Sequence, residues 1–183
     1  MTDASVLDVA GYVKRAADVG HGDAMRLQKL LYYVQAWHLA WTGRPAFDGP
    51  FEAWPKGPVN REVYRVNRYV HQFPAVELPD ELREVVDSVI EHYGSRDAQE
   101  LVELTHRDEP WLEARNGLGT DEPSQQQLRP GTMLDFYTSK AISGSDAPQR
   151  VAHVHRSDRA DVAAAGARVK EQWREGLALL ASR

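Results

Sequence analysis

Hydrophobic positions recur at helical spacing along most of this chain. Val6, Val9, Ala10 and Val13 follow the cap candidates Asp3 and Ser5, with Gly20 as a stop, and predict a first helix. Residues 24 to 42 carry Leu27, Leu30, Leu31, Val34, Trp37, His38 and Trp41 on one face and Met25, Tyr32, Ala36 and Leu39 on the other. A helix that is apolar nearly all round belongs at the centre of a fold. Its polar interruptions are Gln28, Lys29, Gln35 and His38, and Gly43 closes it. The apolar run is also too short for the roughly 20 residues of a bilayer span.

The pattern then changes. Pro45, Pro50, Pro55 and Pro58 surround an Asp48-Gly49 turn signal, which excludes a helix and predicts a short extended hairpin between about residues 44 and 55. Gly57-Pro58 reads as a tight turn opening a third helix, continued by Val59, Val63, Val66 and Val70. From 79 to 93, Leu82, Val85, Val86, Val89, Ile90 and Tyr93 form a single stripe, with Asp80 and Glu81 at the positive end and Gly94 after it. Shorter helices are predicted at 97–104, at 109–115 with Asp108 as cap, and at 132–139.

These elements define a mainly α fold, a single helical domain around a central apolar helix with one short β-hairpin, plus a C-terminal helix after a short linker. The Ser143-Gly144-Ser145 composition places the domain at 1–142, a linker at 143–157 and an amphipathic helix at 158–183. Val162, Gly166, Val169, Trp173, Gly176 and Leu180 form that helix's seam, and packing back on its own domain is its ordinary expectation.

At 183 residues, 42% hydrophobic and 27% charged, the chain can bury a core of its own. It has no cysteine, which removes disulfides and thiolate chemistry and fits a reducing, cytoplasmic setting. Residues 1 to 5 contain no basic leader, so no signal peptide is read there. From 77 to 122, 14 acidic side chains face 4 basic ones, net −10, which disfavours nucleic acid and suits a basic protein surface. After residue 147 the balance reverses to 7 basic and 4 acidic.

Candidate chemistry is sparse. There is no phosphate-binding glycine loop, dinucleotide fingerprint or zincin motif, so no catalytic, metal or cofactor-binding residues are assigned. His153 and His155 lack a third ligand and read as a solvated pair. His38 reads as a hydrogen-bonded core histidine. His106 and Asp108 would support a small enzyme only if they converged in a pocket with a third group, and helix capping by Thr105 or Asp108 accounts for them equally well. Trp54 beside Lys56, on a proline-bounded loop, and Trp173 are candidate contact residues. Trp54 either anchors a partner or folds inward against Val63 and Tyr64. Glu84, Asp87 and Glu91 are candidate steering charges.

Taken in order, Leu27-Gln28-Lys29-Leu30-Leu31-Tyr32-Tyr33-Val34-Gln35-Ala36-Trp37, Phe51-Glu52-Ala53-Trp54, Gly57-Pro58-Val59 and Val63-Tyr64 resemble the Panacea, or SocA-like, antitoxin domain. Leu104-Thr105-His106 with Asp108, Pro110 and Trp111 resembles its second half. Pro55-Lys56 departs from the family pattern, and the tail after Ser143 has no counterpart in it. The resemblance implies an antitoxin that neutralises a cognate protein toxin by direct binding, or an adaptor that delivers the toxin to an ATP-dependent protease. It implies binding with no bond chemistry, so no cofactor is expected; the short apolar run and the acidic segment make a membrane and nucleic acid unlikely partners, and the oligomeric state stays open.

Overall fold

The computed structural model describes residues 4–119 and 121–150. Its elements are α1 (Val6–Ala16), α2 (Ala24–Thr42), β1 (Glu52–Trp54), β2 (Gly57–Val59), α3 (Arg61–Arg65), α4 (Asp80–Tyr93), α5 (Ala98–Thr105), α6 (Glu109–Arg115) and α7 (Pro130–Ser143). Ser5 and Asp8 form a reciprocal capping box at the start of α1, and Asp97 and Glu100 form another at α5. Asp23 caps α2, and Gly43 ends it in the left-handed conformation.

Every residue from 27 to 39 of α2 is buried. Helices α1, α4, α5 and α7 and strand β2 all pack on it, which is why its apolar positions wind all the way round. The stripe predicted on α4 is the face that meets α2, with Leu82, Val85, Val86, Val89 and Tyr93 buried. Tyr33 stacks on Tyr93 with ring centres 4.0 Å apart, and Tyr137 of α7 meets Tyr32, Tyr33 and Trp37 edge-on. Gly11 admits the loop that leads into α4: a methyl there would lie 2.1 Å from the Pro74 carbonyl oxygen.

The mainly helical fold with one antiparallel hairpin matches the expectation, but the hairpin lies later than predicted. Strand β1 pairs with β2 in the register Glu52 to Val59, Ala53 to Pro58 and Trp54 to Gly57, so the chain reverses at Pro55-Lys56. Gly49 does adopt a positive φ, 109°, but it turns the loop before the hairpin. Gly57-Pro58 is accordingly strand, and α3 begins only at Arg61, capped by Asn60. Beyond Arg65 the helix widens, and the His71 amide bonds the Val66 carbonyl five residues back. The outer edge of β1 is covered: Ala53 donates to the Gln126 carbonyl at 2.8 Å, and Leu128 to that of Phe51 at 2.8 Å.

Helix α7 runs on to Ser143, where Gly144 turns the chain. The next residues lie against α4 and the turn after it, with Asp146 accepting from Arg96 at 3.0 Å and Ser88 donating to the Gln149 carbonyl at 2.5 Å. The expected C-terminal helix at 158–183, with Trp173, and the His153/His155 pair lie outside the described residues.

Candidate partner-binding site

The polar interruptions of α2 explain how the hairpin is held. Gln28 clasps the Asn60 backbone, accepting its amide at 2.8 Å and donating to its carbonyl at 3.1 Å. Lys29 donates to the Pro58 carbonyl at 3.0 Å. Gln35 accepts the Ala46 amide at 2.9 Å and donates to the Phe47 carbonyl, while His38 pairs with the Arg44 carbonyl at 2.7 Å. Four side chains of one helix thus satisfy backbone groups that a short hairpin and its proline-rich lead-in cannot satisfy alone.

The turn closes over this layer. Gly57 has φ 91°, and a methyl there would come within 2.6 Å of Lys29 Cε and 2.7 Å of Thr105 Oγ1. Lys29 is 1% exposed, and burial pulls its pKa down from the usual lysine range to about 7. His106 lies flat on Trp111, ring centres 4.0 Å apart. Its pKa is lowered, first by burial and then by Lys29, against the opposing pull of the Pro55 backbone. From the other side, Trp111 donates to the Trp54 carbonyl at 3.1 Å and Arg115 to that of Ala53 at 3.3 Å.

Ala53 and Val59 of the hairpin are buried, and only Trp54, Pro55 and Lys56 at its turn reach the surface. Trp54 is half-buried, its ring centre 5.0 Å from that of Tyr64, and its indole donates to Glu52 at 2.8 Å. The same Glu52 oxygen accepts Arg61 at 2.9 Å. Lys56 stands exposed at the turn. The two open readings of Trp54 therefore merge, because it leans on Tyr64 and still keeps an exposed edge.

Of the other candidates, Glu84, Asp87 and Glu91 lie on α4, apart from the hairpin in sequence. Glu91 is exposed, Glu84 is half-buried, and Asp87 accepts the Tyr12 hydroxyl at 2.8 Å, which ties α4 to α1. His106 and Asp108 take different partners. Asp108 is 3% exposed, accepts Tyr137 at 2.6 Å and Lys140 at 3.4 Å, and has its pKa raised mainly by burial. Asp108 does stand at the N-cap position of α6 as expected, but its side chain makes no capping bond, and the Thr105 hydroxyl donates to the Val102 carbonyl instead of capping. Asp108 is turned into the core toward Tyr137 and Lys140 of α7, and Thr105 lies under Gly57 where α5 packs on α2 and β2. Neither His106 nor Asp108 lines either of two surface grooves among the described residues, of about 830 and 280 Å³. Among the described residues no three or more acidic or histidine side chains are grouped to hold a metal ion. No helix there is long and apolar enough to cross a membrane.

Sequence reasoning missed Arg61, Glu52 and the α2 clasps. Arg61, Arg65 and Arg68 at spacings of four and three were a readable signal. The clasps were not, because their partners are backbone atoms.

No solved structure matches the chain. The family described as Antitoxin SocA-like, Panacea domain, matches residues 27–112. Antitoxin SocA of Caulobacter vibrioides (strain NA1000 / CB15N) is 32% identical over 143 residues, covering 68% of this chain and 76% of that relative. The chain belongs to the SocA-like antitoxin family. The matched Panacea segment runs from within α2 into α6 and so contains both the clasps and the hairpin they hold. Membership supports an antitoxin role, and with it a toxin as partner.

Proposed function

We propose that this protein neutralises a cognate protein toxin by direct, stoichiometric binding in the cytoplasm, with no bond chemistry of its own. The observation that carries this reading is the outward pairing of Trp54 with Tyr64 on a hairpin immobilised from below, in a chain of an antitoxin family. A rigid loop carrying a half-exposed aromatic pair is suited to recognition at low entropic cost. Trp54, Lys56 and Tyr64 form the contact, and exposed acids such as Glu91 on α4 steer the encounter. The domain expected at 1–142 is the binding domain, and the segment expected as a helix at 158–183, with Trp173, is an accessory contact.

Titration of purified chain into the toxin encoded by the neighbouring reading frame tests this. Activity should fall linearly and vanish at a fixed molar ratio, because an occupying binder acts by mass action. Lasting inactivation by a small fraction of an equivalent, with no protease present, would defeat the reading. Toxin loss that requires an added ATP-dependent protease would identify the adaptor mode.

A further inference from the structure

One stretch runs against the acidic character of its surroundings. Between 56 and 71 stand Lys56, Arg61, Arg65 and Arg68 against a single acid, Glu62, whereas 77–122 carries net −10. Lys56, Arg65 and Arg68 have no carboxylate partner among the described residues, so their charge is not spent within the domain. Arg68 is exposed and lies 5.8 Å from the Tyr69 ring centre. Tyr64 meets Trp54. Where α3 widens past Arg65, the chain leaves Tyr69 71% and Val70 59% exposed.

An ordinary solvated charged face does not expose a tyrosine and a valine side by side. Exposed apolar groups rimmed by like charges are the composition of a contact surface.

We infer that the strip Trp54, Tyr64, Arg68 and Tyr69, flanked by Lys56, Arg61 and Arg65, receives an acidic segment of the toxin. The inference rests on the antitoxin reading and adds the chemistry of the partner. Charge complementarity selects an acidic occupant: with Arg61 paired to Glu52, the three cations Lys56, Arg65 and Arg68 still outnumber Glu62 and attract carboxylates, and the aromatic rings and Val70 supply apolar contact. Basic strips with aromatics also bind nucleic acid, but the strongly acidic remainder of this domain would repel a phosphate backbone approaching over any distance.

The test uses the full chain co-expressed with the neighbouring toxin. The double substitution Arg65→Glu and Arg68→Glu should abolish neutralisation while leaving the melting temperature unchanged, with binding weakened by about 10-fold or more per reversed charge. Toxin mutants selected to be neutralised by that variant should carry replacements of Asp or Glu by neutral or basic residues. Full neutralisation by the variant would overturn the inference and leave the antitoxin reading standing, as would suppressors that never fall on acidic positions. If the wild-type chain fails to neutralise the toxin, the antitoxin reading is what fails. The surface is then judged with a synthetic Glu/Leu-alternating peptide and labelled full chain by NMR. Shifts centred on the Trp54 indole and the Tyr69 and Val70 amides, absent with a Lys/Leu peptide, uphold the acidic preference, and no such shifts reject it. A mobility shift with duplex DNA or single-stranded RNA at 150 mM salt, lost in the double variant, would replace the protein partner with nucleic acid.

Discussion

The two faces of one short hairpin follow opposite chemical rules. Its inner face is polar and sealed: Lys29, Thr105 and the Gln28 clasp sit under Gly57 and Asn60 with their hydrogen bonds turned to backbone. Its outer face is aromatic and open, with Trp54 on Tyr64 and cations beside them. A surface meant only for solvent would be more polar outside than inside. The inversion separates the work of the residues. Inner side chains fix the hairpin's position, outer ones are left free to bind, and substitutions on the two faces should therefore move different observables.

The largest effect is expected at Gly57. Gly57→Val places a β-branched residue at φ 91° and drives it into Lys29 and Thr105. Backbone strain and overpacking together should cost about 3 kcal/mol or more, measured by urea unfolding. Gly49→Ala shares a positive φ, 109°, but meets only the Asn60 side chain at 3.2 Å, so it should cost roughly 1 kcal/mol. Equal costs at the two glycines would mean that the sealed inner face contributes no packing constraint.

Next comes the buried amine. The folded chain releases the Lys29 proton at about 7, whereas the unfolded chain holds it to about 10.4. Between those values the unfolded state binds more protons, so this group makes stability rise with pH by up to about 1.4 kcal/mol per unit. Below 7 both states are protonated and the burial penalty stays constant. Lys29→Met should remove the rise between pH 7 and 10, read as the difference between the two proteins' stability profiles. His106, pushed below its ordinary value beside it, titrates on the acid side of that window. Parallel profiles above pH 7 would show that the amine stays charged in the fold.

The same contrast governs what was legible in the sequence. Helix α2 could be read because a central helix has no solvent face to interrupt its apolar positions, and α4 because its stripe has one period. Gln28, Lys29, Gln35 and His38 were visible only as breaks in that pattern. Their purpose was hidden because each bonds a backbone group, which every residue offers alike. The hairpin was misplaced for a related reason. Asp48-Gly49 is the stronger turn signal, but the Pro55-Lys56 reversal is stabilised by Lys29 and Trp111 from distant elements. Of the contact candidates, Trp54 and Tyr64 lie ring against ring, while Arg68 and Tyr69 gained meaning only once the widened turn exposed them.

At the boundary between the faces, Trp54→Ala should show both signatures. Losing a half-buried indole, its bond to Glu52 and its contact with Tyr64 should cost about 1 to 2 kcal/mol of stability, and toxin affinity should drop by about 2 kcal/mol or more. Trp54→Phe keeps the ring contact and loses the hydrogen bond, so it should recover most of the affinity. Unchanged neutralisation by a destabilised Trp54→Ala would assign this residue to the inner face alone.

The smallest stability effects belong to the fully outward positions, where the comparison is most exposed to failure. Tyr69→Ala removes a side chain that is 71% exposed, so thermal stability should stay within about 0.5 kcal/mol of the parent. Affinity should still weaken, mainly through faster dissociation, because a contact residue acts after the encounter. Glu91→Lys is the matched control on α4, also exposed and also expected to leave stability nearly unchanged. It should alter the association rate and its salt dependence only, since a charge beyond the contact steers approach through a field that salt screens. Asp87→Lys is no substitute for it, because it also breaks the bond to Tyr12 and loosens α1 from α4. Stopped-flow association and dissociation rates measured at two salt concentrations separate the two variants. If Tyr69→Ala changes only the on-rate while Glu91→Lys changes the off-rate, the contact lies on α4 and the aromatic strip is not the binding face.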